Sequence, residues 1–392
     1  VERMNFRFVV KEAQVEMRNG NQSYATIVLE DIRRGVFVVH PVTDFIRSRY
    51  GTKTNYNTQK APAETIKRFL NWLFFENHEI YGLNTFEHLQ IKHVVEYLNY
   101  LGEVKQNKRG TIKGTENYLT EFYYFLQKRG VIPEIVRRIP SFNGKKTVLE
   151  SPFSSEGLAM PTRNLLQARL NDFPSLELVQ LFLETARDVT PEIAFGIYLQ
   201  FFGGIRRGEI VNLDRGSIQA SGPYGSAGMT VEIIDRPELF ARIRDASKNS
   251  VKNPRNQSIL FTPMLPVLYK HHLNWLEVNA HSKKDDPLFI DKSGNAMSGA
   301  VYEQRFMSVK KAFMERLLRM KSPHTSYLNK YTWGTHIGRG IFTNIAAKFI
   351  AKTPQELALI RGDRTLDTAL RYMSSLRIQK EINQGLDDIF KF

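Results

Sequence analysis

Apolar residues recur along the chain in two rhythms, and the change between them divides it. Up to residue 40 the rhythm is that of strands. Phe6-Arg7-Phe8-Val9-Val10 and Ala25-Thr26-Ile27-Val28-Leu29 flank a turn signal at Gly20-Asn21, and Val36-Phe37-Val38-Val39 follows Gly35. Beyond Pro41, which opens Val42-Thr43-Asp44-Phe45-Ile46, helical spacing takes over. It places apolar residues at Ile66, Phe69, Leu70 and Leu73 in a helix over 63–75, predicts a second over 91–98, and makes 118–127 an aromatic-rich third. Between the last two lies a basic, glycine-bearing stretch, 105–114, expected as a loop. Pro140, Gly144, Pro152, Gly157 and Pro161 then interrupt any long helix, so 141–171 reads as a linker with a short helix over 163–170.

From about 172 the pattern is again mostly helical. Helices are predicted over 176–188 and 191–202, strands over 229–234 and 258–261, and four further helices over 265–278, 301–319, 336–350 and 354–360. The last of these opens with Thr353-Pro354-Gln355-Glu356, a capping residue, Pro at the first helical position and Glu at the third. Short helices over 365–372 and 376–390 finish the chain. The expected organisation is therefore a small β-rich module over 1–40, a helical domain over 41–140, the linker, and a second domain over 172–392. The fold class is mainly α with a small antiparallel β-sheet.

Charge narrows the partners. Lys and Arg number 55 against 40 Asp and Glu, a net charge of +15 with a pI near 9.7, which favours a polyanion, most commonly nucleic acid. Cysteine is absent, which excludes disulfides, thiolate zinc sites and cysteine nucleophiles and fits a reducing cytoplasm. No apolar run reaches the ~18–20 residues needed to span a bilayer, and the first residues lack a signal-peptide core. A cytoplasmic, nucleoid-associated protein is expected. In the 105–114 stretch, Lys105, Lys108, Arg109 and Lys113 suit either a solvated turn or a loop that neutralises DNA phosphates.

Three segments of the second domain make chemical sense together. Gly203-Gly204-Ile205-Arg206-Arg207-Gly208-Glu209-Ile210 ends a buried helix and presents an arginine beyond it. Thr335-His336-Ile337-Gly338-Arg339 puts His336 and Arg339 on one helix face, with Thr335 placed to cap the helix. The run from Leu359 through Gly362, Asp363 and Arg364 to Tyr372 ends one helix at a glycine, starts another and sets a tyrosine near its close. Taken singly, an arginine past a helix end is usually a surface residue and a lone tyrosine usually belongs to a core.

In this order and register the segments resemble the tyrosine recombinase (phage integrase) family, whose second domain carries G-x-R-x-x-E-L, H-x-x-R and a terminal L-G-H-x-x-x-x-x-T-x-x-Y. The resemblance spans 172–392 in outline, and 41–140 is similar to the family's core-binding domain by layout. It implies a helical core-binding domain and a catalytic domain forming a clamp around double-stranded DNA. It also implies a site-specific recombinase or integrase that needs no metal, cofactor or ATP. By that resemblance Tyr372 attacks phosphorus to give a 3′-phosphotyrosyl link and a free 5′-hydroxyl. Arg206 and Arg339 hold the non-bridging oxygens in bidentate fashion, and His336 bonds the same phosphate or helps deprotonate the tyrosine. Glu209, Asp363 and Arg364 are candidate supports.

The family takes the leaving-group proton from a lysine in a β-hairpin loop. Lys252 fits that role best here, with Lys248 as the alternative. Arg361 stands for the family's leucine, and Asp363 for its usual His or Trp. An ionised carboxylate cannot donate to a phosphate, so either Arg364 takes over or the site works with weaker support. The added N-terminal sheet points to a mobile-element member. The amphipathic tail at Ile378, Ile382, Leu386 and Ile389 resembles the segment family members dock into a neighbour, implying a homo-tetramer on DNA. Alternatives are type IB topoisomerase-like relaxation and a catalytically inactive DNA-binding regulator.

Overall fold

The computed structural model describes residues 5–17, 20–51, 56–141, 147–161, 170–241, 249–251, 253–279, 286–363, 366, 369–370 and 373. Two compact units divide the chain, Val1–Leu165 and Leu166–Phe392.

In the first unit, strands β1 (Phe6–Met17) and β2 (Gly20–Asp31) pair antiparallel, with Phe6 opposite Asp31, and β3 (Val36–Val39) adds to β2. Both long strands extend well beyond their apolar cores because pairing continues through polar residues. Helices α1 (Thr43–Tyr50), α2 (Tyr56–Asn71), α3 (His78–Tyr81), α4 (Ile91–Glu103) and α5 (Arg109–Lys128) follow. Phe8, Ala25 and Ile27 share one buried cluster with Ala63, Ile66, Phe69 and Leu70 of α2. Side chains also bind the strand backbone. Asn71 accepts from the Phe8 N–H at 2.7 Å and donates to its carbonyl at 2.9 Å, and Gln59 accepts from the Ala25 N–H at 3.1 Å. The sheet is thereby part of the helical core.

The expected loop over 105–114 is corrected in its second half. Helix α5 begins at Arg109, with Lys108 as its cap residue, and runs through Gly110 and Gly114. Each glycine costs about 1 kcal/mol relative to alanine, but fully buried Ile112 continues the stripe of Leu119, Phe122, Tyr123 and Leu126 upstream. The stretch after α5 also gains structure. Strands β4 (Arg138–Pro140) and β5 (Thr147–Leu149) pair, and Phe153 is fully buried against Tyr123 with ring centres 5.5 Å apart. The short helix expected over 163–170 lies outside the described residues except for Leu170, which is not helical.

In the second unit, α6 (Leu176–Val189) and α7 (Pro191–Gly203) lead into the short α8 (Arg207–Val211). A three-stranded antiparallel sheet comprises β6 (Ile218–Ser221), β7 (Gly228–Ile233) and β8 (Arg255–Ile259), in that order. Helices α9 (Met264–Asn279), α10 (Gly299–Arg319), α11 (His324–Lys330), α12 (Ile337–Phe349) and α13 (Pro354–Arg361) complete it. Apolar residues surround α7, and every residue from Ile193 to Gly203 is buried, so this helix is the axis on which α6, α9 and α12 pack. Phe182, Phe201, Phe173 and Phe313 form an aromatic layer beside it. The predicted helix over 376–390 lies outside the described residues, as does most of 365–372.

Helices α7 and α12 meet closely because Gly338 presents no side chain. A Cβ built there would stand 2.8 Å from Gln200 Cβ and 2.9 Å from Phe201 Cδ1. Gly338→Ala should therefore overpack the contact and cost about 1–3 kcal/mol. Thermal melting would record this as a midpoint lower by roughly 2–4 °C per kcal/mol. An unchanged midpoint would show that the two helices have room to spare.

Candidate active site

The site begins where α7 runs out. Gly204 ends that helix in the left-handed region (φ 63°), which turns the chain so that Ile205 stays buried and Arg206 becomes the extended residue before α8. Glu209, one turn on, reaches back. Its carboxylate accepts from the Arg206 backbone N–H at 2.8 Å and from the Arg206 guanidinium at 2.9 Å. The Glu209 side chain is only 1% exposed.

A second arginine covers the other side of that carboxylate. Arg255, at the start of β8, donates to both oxygens at 3.0 and 3.1 Å, a bidentate fork, and its Nε donates to Gln257 at 3.0 Å. Burial alone would push the Glu209 carboxyl up. The bonds and charge of Arg255, with those of Arg206, outweigh it and hold the group below its ordinary value of 4.5. Arg255 was not among the residues singled out from sequence. Its only signal was its place beside Asn253-Pro254, three residues after Lys252.

The end of α13 closes the arrangement. Gly362 is left-handed (φ 63°), and a Cβ on it would stand 2.4 Å from Cδ and Nε of Arg255. A Cβ there would force the Arg255 side chain to shift, and the left-handed backbone itself favours glycine. Asn253 donates to the Gly362 carbonyl at 2.8 Å and Gln257 to that of Ile360 at 3.0 Å, so the sheet holds the helix end through its backbone.

Arg339, on α12, reaches into the same region. It donates to the Gly204 carbonyl at 2.8 Å, the Arg361 carbonyl at 3.2 Å and the Asp363 carboxylate at 2.5 Å. The same Asp363 oxygen lies 3.8 Å from Arg206, and the other lies 3.3 Å from Arg361. Burial, and then the positive charge of Arg206, lower the Arg339 guanidinium to about 10, partly opposed by Asp363. It remains charged at neutral pH. Arg361, which stands for the resembled family's leucine, is thus a third cation on one carboxylate.

His336 is exposed and is itself the residue before α12, so the expectation that Thr335 caps the helix is corrected by one position. The helix starts at Ile337, and Thr335 is buried. Arg206, Glu209, Arg339 and Asp363 are brought together. Lys252, Lys248, Arg364 and Tyr372 lie outside the described residues.

The basic residues expected to meet DNA belong to the first unit. Lys105 stands over the Tyr100 ring at 5.5 Å, Lys108 and Arg109 are exposed at the start of α5, and Lys113 binds buried Glu116 at 2.7 Å. A groove of about 720 Å³ that sequence did not reveal is lined by Arg49, Lys113, Glu121, Lys128 and Arg138; Arg49 is paired with Glu121 at 3.0 Å, and Lys128 and Arg138 lie over the Tyr124 ring at 5.6 and 5.1 Å. Among the described residues, no helix is long and apolar enough to cross a membrane.

Solved structures share this architecture. The Tn1549 transposon integrase in complex with transposon right end DNA is similar with a TM-score of 0.54 at 16% identity, over 88% of this chain and 98% of that one. A lambda integrase dimer bound to a COC′ core site is similar with a TM-score of 0.51 at 11% identity, over 86% of this chain and 95% of that one. No family model matches the sequence, and no curated protein does. The chain therefore has the tyrosine-recombinase fold, mainly helical with small antiparallel sheets.

The Glu209 pair carries a pH signature. Because the folded carboxyl is held below 4.5, its contribution is present above that pH and is lost as pH falls through the lowered value. Glu209→Gln leaves Arg255 buried without its anion and should cost about 3–5 kcal/mol at neutral pH. In urea titrations the gap between variant and native chain should shrink below pH 4.5. A gap independent of pH would show that the carboxylate is not the stabilising species.

Proposed function

We propose that this chain is a site-specific DNA recombinase of mobile-element type, cleaving and rejoining double-stranded DNA through a phosphotyrosyl intermediate. The observation that carries the reading is the convergence of Arg339 and Arg206 on a single carboxylate oxygen, at 2.5 and 3.8 Å. Two guanidiniums that meet on one anionic oxygen are arranged to hold a phosphodiester and to stabilise the charge that grows on its non-bridging oxygens during attack. They supply the positive charge that metal ions provide in other phosphoryl-transfer sites.

In this mechanism Tyr372 attacks phosphorus through its hydroxyl oxygen, and His336 bonds the phosphate or helps remove the tyrosine proton. The bond to the 5′-oxygen breaks, and Lys252 (or Lys248) protonates that oxygen. The products are a 3′-phosphotyrosyl ester and a free 5′-hydroxyl. Attack by a 5′-hydroxyl reverses the step and returns the tyrosine, so the ester conserves the bond energy and ATP is not needed. Glu209 fixes Arg206. Lys105, Lys108, Arg109 and Lys113 neutralise backbone phosphates, joined by Arg49, Lys128 and Arg138 of the adjoining groove.

Tyr372→Phe should bind DNA and yield no covalent adduct on a nicked suicide substrate. Arg206→Ala or Arg339→Ala should slow adduct formation by about 10²–10³-fold with little change in DNA affinity. An undiminished adduct from the phenylalanine variant would remove the assignment. Plasmid relaxation without sites would indicate a topoisomerase, and binding without any adduct from the native chain a regulator.

Assembly is the remaining part of the proposal. Strand exchange must hold two duplexes together, and a homo-tetramer linked through the C-terminal helix would do so. The second unit offers a surface for a neighbour's tail, with Phe349 71% and Leu359 82% exposed. Deleting 377–392 should leave a folded, DNA-binding protein that fails to form synaptic complexes in gel-shift and sedimentation assays. Full assembly by the truncated chain would place subunit contact elsewhere.

A further inference from the structure

Asp363 takes no part in the reaction just described, yet its carboxylate has the most heavily charged surroundings in the site. One oxygen faces Arg339 and Arg206, and the other faces Arg361. The carboxylate is mostly buried, while Arg206 keeps 33% of its side chain exposed. Its backbone is fixed, since the Asp363 N–H donates to the Ala358 carbonyl at 2.9 Å just past the turn at Gly362. The carboxylate is thus held against the arginines by the fold.

A carboxylate oxygen and a non-bridging phosphate oxygen are interchangeable to a guanidinium, because both are anionic acceptors of the same N–H donors. A phosphodiester entering between Arg206 and Arg339 would meet an Arg339 donor already engaged and a like charge 3.8 Å from Arg206. We propose that Asp363 is a built-in occupant of the phosphate seat. In the DNA-free chain it takes the place of the scissile phosphate on Arg206 and Arg339, and DNA displaces it before cleavage. This rests on the reading of these two arginines as phosphate ligands. It gives the site a threshold: an isolated phosphate competes poorly, whereas a duplex held by many other contacts can drive the exchange.

The test is calorimetric titration of inorganic phosphate into the DNA-free full chain in a chloride buffer. Asp363→Asn and Asp363→Ser both remove the charge and should raise phosphate affinity about tenfold or more, as loss of a like charge within a few ångströms requires. Adding Arg206→Ala to either variant should abolish the gain. Thermal melts with and without phosphate check that each variant is folded, and phosphate should raise their midpoints more than that of the native chain. Unchanged, weaker or undetectable phosphate binding by both folded variants would overturn the proposal. The recombinase reading is judged separately, by the native chain's adduct on nicked DNA. An adduct without any gain in phosphate affinity would remove the occupant and keep the recombinase, and a gain without an adduct would do the reverse.

Discussion

The buried carboxylate of Glu209 is the point on which the site depends. A carboxylate 1% exposed is tolerated in a protein interior only when its charge is matched and its lone pairs are filled. Arg206 and Arg255 do both. These partners come from the loop after α7 and from the first residue of β8, so the ion pair joins segments that local folding leaves apart. Arg255 then favours glycine at 362, because its side chain occupies the space a Cβ would need and the backbone there is left-handed. The chain of dependence runs from Glu209 through Arg255 to Gly362 and so to the backbone that presents Asp363.

Charge balance around this framework has a consequence for the proposed reaction. Arg206, Arg339 and Arg361 face the Asp363 carboxylate, and under the proposed exchange a phosphodiester would take its place. Exchange of one single negative charge for another changes the net charge of the seat little. Attack by tyrosine is different, since it adds a second negative charge to the same oxygens. The surplus positive charge is therefore engaged more strongly in the transition state than in either ground state, which is the condition for accelerating a reaction rather than only binding its substrate. The lowered value of Arg339 is the counterpart of this surplus: burial and a crowd of like charges make its proton easier to lose.

Sequence made visible whatever rests on local periodicity or fixed spacing. The axis helix α7 could be placed because an unbroken apolar run can only be buried. Arg206, Glu209 and Arg339 could be named because three segments, each weak alone, resemble the family's pattern in order and register. Helix α5 was cut short because Gly110 and Gly114 resemble a loop, whereas the stripe through Ile112 decides the outcome. Strand β6 was not foreseen, since Ile218-Gln219-Ala220-Ser221 is only four residues long, with a single large apolar side chain, and is paired along its length with β7. Arg255 and Arg361 were missed for a related reason. Their roles are defined by partners distant in sequence, and an isolated arginine carries no mark of its partner. Asp363 stood out as a departure from the resembled pattern, but which groups it faces could be learned only in three dimensions.

The way the end of α13 is held links these observations. Its hydrophobic contacts form a small cluster of their own, in which Ala346, Ala351, Leu357, Ala358 and Ala369 are buried. Alanines bury little apolar area, so such a cluster contributes much less than the aromatic layer beside α7. Polar ties supply the rest: Asn253 to the Gly362 carbonyl, Gln257 to that of Ile360, and Arg339 to that of Arg361 and to the Asp363 carboxylate. Of these, the contact with Asp363 involves a guanidinium that the proposed reaction also uses. Under the proposed exchange, a phosphate that takes Arg339 from Asp363 removes one of the ties at the end of α13, while those of Asn253 and Gln257 remain. Arg339 is thus the donor shared between the proposed phosphate seat and the end of α13.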